Sequence, residues 1–409
     1  MIVFAREPIF TSNEKVFAYQ LVFNESIGHV FDPENIKLAR SPEDTGGVAW
    51  PQLLEGFTSL ITITKEQLFN PIPEDFPPDD TMLEIDKFDE DDPAFVERIN
   101  ALKKIGYRII AGDKNPLSEF VIKHCDILKV SINKISPYEV KELRNQTINP
   151  KIKLIVTDVQ TQASFKKCVE VGFDYYQGYF FLTRKKTNHS DELPANKVAI
   201  FNLISQISQP SLDMKKIRVI FEHDATLTYL LMRFINNPMI NKYHEIKSIK
   251  HALAYLGEVM LRKFVAIVSL AQLNTGNTSE LLQVALIRAK FCESISETHD
   301  GKEESLSAFL TGLFSLIDVI LDRDMAILMD KVQLALEIKL ALTQKQGTLH
   351  HYVKICQGIE SAHWQTLKQN CEQVEVEHEI AKSVYLESVR WANSFSIPES
   401  NVYPVARVH

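Results

Sequence analysis

Along the first 183 residues, short apolar runs alternate with longer stretches in which apolar side chains recur every three or four positions. The runs at 1–10 and 17–24 flank the polar stretch Thr11-Ser12-Asn13-Glu14-Lys15 and predict a hairpin. Residues 59–64 and 82–86 read as strands from their branched side chains. A helix with both ends marked comes next. Asp92 caps it, Pro93 takes its first position, Gly106 closes it, and Phe95, Ile99 and Leu102 share one face. Strands follow at 107–111, 127–130 and 154–156, and a helix at 161–171 precedes Tyr175-Tyr176. Strands alternating with helices at this rhythm mean parallel βα units, and this many close as a (β/α) barrel. In such a barrel, chemistry sits at the C-terminal ends of the strands.

The stretch from Thr183 to Ser190 is polar and basic without an apolar period, and reads as a linker. Beyond it the strand rhythm stops. Asp224 looks like an N-cap, followed by a stripe of Leu227, Leu230, Leu231 and Phe234 that should end near Asn236-Asn237-Pro238. A helix at 249–256 ends at Gly257, and another at 258–273 turns Met260, Phe264, Ile267 and Val268 inward. Further helices are expected at 281–295 and 309–321. The fold class is therefore α/β plus all-α: a barrel over 1–183, a linker over 184–195, and a helical bundle over 196–409. The final stretch from Ser396, with Pro398 and Pro404, reads as an extended strap.

Composition narrows the partners. At 409 residues the chain is long enough for two cores. A net charge of −8 argues against nucleic acid and gives an anionic membrane no attraction. No apolar run reaches the roughly 18 residues of a membrane span, and the N-terminus lacks a secretion pattern. Cys125, Cys168, Cys292, Cys356 and Cys371 show no CxxC spacing, so the chain is expected to be cytoplasmic with free thiols.

The order of motifs in the first half resembles the EAL family of cyclic-di-GMP phosphodiesterases. There a strand "A-R-x-P-I-F" or "Y-Q-P-I" precedes a strand "Y-E-A-L-L-R". Here these are Ala5-Arg6-Glu7-Pro8-Ile9-Phe10 and Tyr19-Gln20-Leu21-Val22-Phe23-Asn24. The resemblance implies an EAL-type barrel with its site at the matching positions. Gln20 stands at the metal-binding Glu, and Thr62 at the metal-binding Asn. Glu84 is kept. Gly112 and Asp113 stand at an Asp pair, of which the second is kept. Lys129 is kept, while Ser131 replaces the Asp two residues on. Thr157 and Gln160 replace two Glu. Gln177-Gly178-Tyr179 is intact, and Asn24 stands at the phosphate-binding Arg.

Of the acidic positions aligned, only Glu84 and Asp113 survive, and Lys129 leaves a net charge of −1. Mg²⁺ needs carboxylates in near-octahedral geometry. In-line attack on a phosphodiester needs two ions to hold the attacking and leaving oxygens. The expectation is that Gln20, Thr62, Glu84, Asp113, Lys129, Thr157 and Gln177 are vestigial positions. No cofactor is expected, and any metal would fall to Glu84 and Asp113. Cyclic-di-GMP is not expected to bind, because Asn24 offers no charge to a phosphate.

The second half resembles the HDOD family, a helical output domain related to HD phosphohydrolases. The matching residues are Asp224-Ala225-Thr226-Leu227, Ile249 to Gly257, and Phe309-Leu310-Thr311-Gly312-Leu313-Phe314. Where HD enzymes carry His-Asp, Ser315 and Leu316 stand. His223-Asp224 has no partner set and reads as a helix entrance. His251, His350 and His351 read as packed or surface residues, and Asp44-Thr45-Gly46 as a loop. The EAL-plus-HDOD pairing is a bacterial signalling architecture. It implies a signal-transduction protein that binds signalling proteins through its helical half; the charge deficit implies that it is not an enzyme, and the apolar helices fit self-association as a homodimer. The alternative is an active cyclic-di-GMP phosphodiesterase with an altered ligand set using Mg or Mn.

Overall fold

The computed structural model describes residues 4–23, 54, 56–70, 76–115, 118–145, 151–186, 195–209, 212, 221–222, 225–237, 240–241, 246–299 and 305–395. Eight strands close into a barrel in sequence order. They are β1 (Phe4–Thr11), β2 (Val16–Phe23), β3 (Thr58–Ile63), β4 (Thr81–Ile85), β5 (Arg108–Ala111), β6 (Ile127–Ser131), β7 (Lys153–Thr157) and β8 (Tyr175–Gln177). β1 is antiparallel to both its neighbours, β2 and β8. The remaining pairings are parallel.

The expected hairpin and βα units are present. The helix Pro93–Ile105 begins where Asp92 accepts from Ala94 N and Phe95 N, at 3.0 and 3.3 Å. It ends at Gly106, whose φ of 117° is open to glycine at little steric cost.

Ile9, Ala18, Leu60, Met82, Ile110, Ile127 and Ile155 form a separate apolar cluster that fills the barrel. Phe17 and Tyr175, ring centroids 3.9 Å apart, pack against it. Side chains alternate faces along a strand. Two residues further along each parallel strand, the next inward positions are therefore Gln20, Thr62, Glu84, Gly112, Lys129, Thr157 and Gln177. β1 runs the other way, so its inward residue at this level lies two positions earlier, at Glu7.

The helical region runs through eleven helices among the described residues: Ala195–Ile207, Ala225–Ile235, Ile249–Leu273, Ser279–His299, Ser305–Phe314, Ile317–Leu321, Met325–Lys331, Leu336–Thr343, Thr348–Glu360, Trp364–Gln373 and His378–Asn393. Gly257, at φ 66° and ψ 178°, breaks Ile249–Leu273 where the sequence places a helix end. Ser279–His299 is the hub, contacted by Ser305–Phe314, Thr348–Glu360 and His378–Asn393. Gly312 lets two helix backbones meet: a Cβ there would lie 2.3 Å from Arg288 O.

The outer barrel core continues into the helical region as one cluster. Tyr19 Oη donates to Glu280 Oε2 at 2.6 Å, with both residues buried. The Arg6 guanidinium lies 4.7 Å from the Tyr19 ring centre and donates to Asn393 at 3.4 Å. Tyr179 Oη donates to Glu360 O at 3.3 Å. The expected linker is fastened at its start: Arg184 pairs with Asp324 at 3.4 Å, and Lys186 N donates to Asp322 at 2.8 Å. Among the described residues no single helix is long and apolar enough to cross a membrane. One bent pair, Ser305–Leu321 with Met325–Lys331, passes by length and composition only, and its first helix lies in the core.

Candidate functional site at the barrel mouth

The inward polar layer forms one hydrogen-bonded chain. Gln20 Nε2 donates to Thr62 Oγ1 at 3.2 Å and to Glu84 Oε2 at 3.1 Å. Thr62 Oγ1 donates to the same carboxylate oxygen at 3.0 Å. Lys129 Nζ donates to Glu84 Oε2 at 3.1 Å and to Gln20 Oε1 at 2.7 Å. Gln177 Nε2 donates to Gln20 Oε1 at 2.5 Å and to Glu7 Oε2 at 2.8 Å. Glu84, Lys129 and Gln177 are buried. Gly112 makes room for this: a Cβ there would stand 2.6 Å from Glu84 Oε1.

The structure thus brings Gln20, Thr62, Glu84, Lys129 and Gln177 together and points Thr157 into the same layer. Asp113 is not among them. It lies past the end of β5 and pairs with Lys134 at 3.0 Å. Gln160 is exposed. Ser131 donates to Asp158 Oδ2, a residue held at φ 61° just past β7. Asn24, Asp44-Thr45-Gly46, His223-Asp224 and the stretch from Ser396 lie outside the described residues.

Two groups escaped the motif alignment. Glu7 is the variable residue of the first motif, and Asp158 lies between two aligned positions. Glu7 keeps some surface, but its carboxyl sits deep in the mouth. Burial raises its pKa, against the Gln177 hydrogen bond and the Lys129 charge; Asp158 and Glu84 add to the rise. The carboxylates in and beside the mouth are therefore Glu7, Glu84 and Asp158, with Lys129 as cation.

A pair of divalent ions does not fit this donor set as it stands. Three protein donors already occupy Glu84 Oε2, and Asp113 pairs with Lys134. Among the described residues no three His, Cys, Asp or Glu converge as a metal-binding group.

In the helical region, Ser315 accepts from Arg288 Nη1 at 3.3 Å, and Leu316 is buried. Arg288 grips Glu360 with three bonds of 2.7 to 3.1 Å, an Arg–carboxylate fork inside the core. His251 is exposed, and His351 meets Asn370 at 3.2 Å. The five cysteines are free and buried. Loss of hydration pushes the Cys125 thiol up to about 12.

Residues 193–338 match the family model described as HDOD domain. The uncharacterized protein YuxH of Bacillus subtilis is 27% identical over 95% of this chain and 98% of its own. Cyclic di-GMP phosphodiesterase CdgJ of Vibrio cholerae is 25% identical over 96% of this chain and 92% of its own. Among solved structures, the Bacillus subtilis YkuI protein, with an EAL domain and in complex with c-di-GMP and calcium, aligns at 17% identity. That alignment covers 64% of this chain and 72% of that one, with a TM-score of 0.33.

The expectation that the chain is not an enzyme is corrected here. A relative similar over nearly the whole chain is named a phosphodiesterase. The charge deficit behind that expectation also omitted Glu7 and Asp158. The chain is a closed eight-stranded barrel followed by a helical region that matches the HDOD domain, and over nearly its whole length it is similar to a protein named a cyclic di-GMP phosphodiesterase.

Proposed function

We propose that the chain is a signal-transduction protein of cyclic-di-GMP networks whose output is a protein contact made by the helical region. The barrel, residues 1–183, and the helical region, 196–409, work as two modules joined through 184–195. One observation carries this reading: the buried 2.6 Å bond from Tyr19 to Glu280. Tyr19 is next to Gln20, so the strand that lines the mouth on one face is fastened to the helical region on the other. Arg6, next to Glu7, repeats the pattern through Asn393. A change at the mouth therefore has a short mechanical path to the helices.

The test is affinity capture from the source organism with the full chain and with Tyr19→Phe, followed by reciprocal capture from each partner. The reading expects a defined partner whose retention weakens in the variant. It fails if no partner binds reciprocally, or if Tyr19→Phe leaves every partner unchanged.

A second reading is a cyclic-di-GMP phosphodiesterase, favoured by the whole-length similarity to CdgJ. Hydrolysis of cyclic-di-GMP by the full chain with Mg²⁺ or Mn²⁺, abolished by Glu84→Ala, would select it.

A further inference from the structure

We propose that Glu7 is a positioning residue of the barrel mouth, carrying on β1 the carboxylate that the motif carries on β2, and that it orients Gln177. Glu7 and Gln20 are direct cross-strand partners in the β1–β2 register. Both face inward, since Ile9 and Ala18, two residues away on each strand, lie in the interior cluster. The motif "A-R-x-P-I-F" leaves the β1 site variable and "Y-E-A-L-L-R" carries Glu at the β2 site; this chain has Glu7 on β1 and Gln20 on β2.

The hydrogen bonds show what this arrangement does. The Gln20 amide donates to Thr62 and Glu84 while accepting from Lys129 and Gln177. A carboxylate at position 20 could not donate to Glu84, and would stand against it as a like charge. On β1, the Glu7 carboxylate accepts from Gln177 instead. The two protons of Gln177 Nε2 are then spent on Glu7 and Gln20. This fixes the amide orientation and turns Oε1 away from both. Gln177 is 3% exposed, and its Oε1 is buried without a hydrogen-bond partner. An orphaned buried acceptor is costly, so it is a place for a donor from whatever enters the mouth: a water, a hydroxyl or an amine.

The raised pKa of Glu7 agrees with a carboxyl held away from water. Lys129, Asp158, Glu84 and Tyr179 are the charged and titratable groups facing it. The proposal concerns the same mouth as the proposed function. Its test uses neither dinucleotide nor partner protein, so each can fail alone.

The experiment is a thermal-unfolding cycle on the full chain with Glu7→Gln, Gln20→Glu and the double exchange, followed from about pH 4 to pH 8. Glu7→Gln keeps the acceptor and removes the titration. Its Tm should match the wild type near the unfolded carboxyl pKa of about 4.3. It should then exceed the wild type increasingly as pH rises, by roughly 2–4 °C at pH 8. Gln20→Glu should lose several degrees at pH 8, and adding Glu7→Gln should recover part of that loss. A Gln20→Glu chain too unstable to purify, rescued by Glu7→Gln, counts equally in favour. Parallel pH curves for Glu7→Gln and wild type overturn the proposal, as does a double variant no more stable than Gln20→Glu alone.

Discussion

The barrel mouth and the helical core both bury charge, and they do so differently. In the helical region buried cations meet carboxylates directly. Arg288 grips Glu360, and Lys263 meets Glu293, with the Lys263 ammonium also 5.5 Å from the Phe309 ring centre. In the mouth the single cation Lys129 is shared, and amides and a hydroxyl spread its effect across Glu84, Gln20 and Gln177. Direct ion pairs fix a packing. A shared network leaves residual capacity, seen in the acceptor of Gln177, which has no hydrogen-bond partner among the described residues. Such a network responds to what is added to it.

The largest test of this contrast removes one partner of such a pair. Arg288→Met strands Glu360 in the core and should cost about 3–5 kcal/mol in denaturant unfolding. Lys129→Met should cost less, roughly 2–3 kcal/mol, because Gln20 and Thr62 still donate to Glu84. If Lys129→Met costs as much as Arg288→Met, the mouth is no more adaptable than the core.

Tyr19→Phe should cost about 1–2 kcal/mol by taking a donor from buried Glu280. It should also speed amide exchange in both β2 and the helix Ser279–His299. Exchange confined to one of them would mean that the two regions are merely adjacent. Gly112→Ala should have the smallest effect on stability, about 1 kcal/mol or less, because Glu84 Oε1 can shift away from the added methyl. Its readout is the mouth itself: the Lys129 Nζ resonance should move while the helical region keeps its spectrum.

Much of the architecture is legible along the chain. Helix Pro93–Ile105 carries its own cap, first-turn proline and terminal glycine, all acting within a few residues. Gln20, Thr62, Glu84, Lys129, Thr157 and Gln177 were located by motif order and indeed face inward together. Glu7 was missed because β1 is antiparallel, so its mouth residue lies before its interior residue instead of after it. Asp113 was included as the second Asp of its motif, but it stands past the end of β5, where it pairs with Lys134.

What the sequence determined by itself is what depends on near neighbours: strand and helix order, caps, the shift of period after 183, and the alternation that selects the inward positions. Tertiary structure decided the rest. It set which strand neighbours carry the carboxylate, which groups share Lys129, and that Tyr19 reaches Glu280 across 261 residues. The physical reason is range. Backbone preference and periodicity act over a few residues, whereas hydrogen bonding and Coulomb energy depend on spatial separation and burial, which exist only once the barrel has closed.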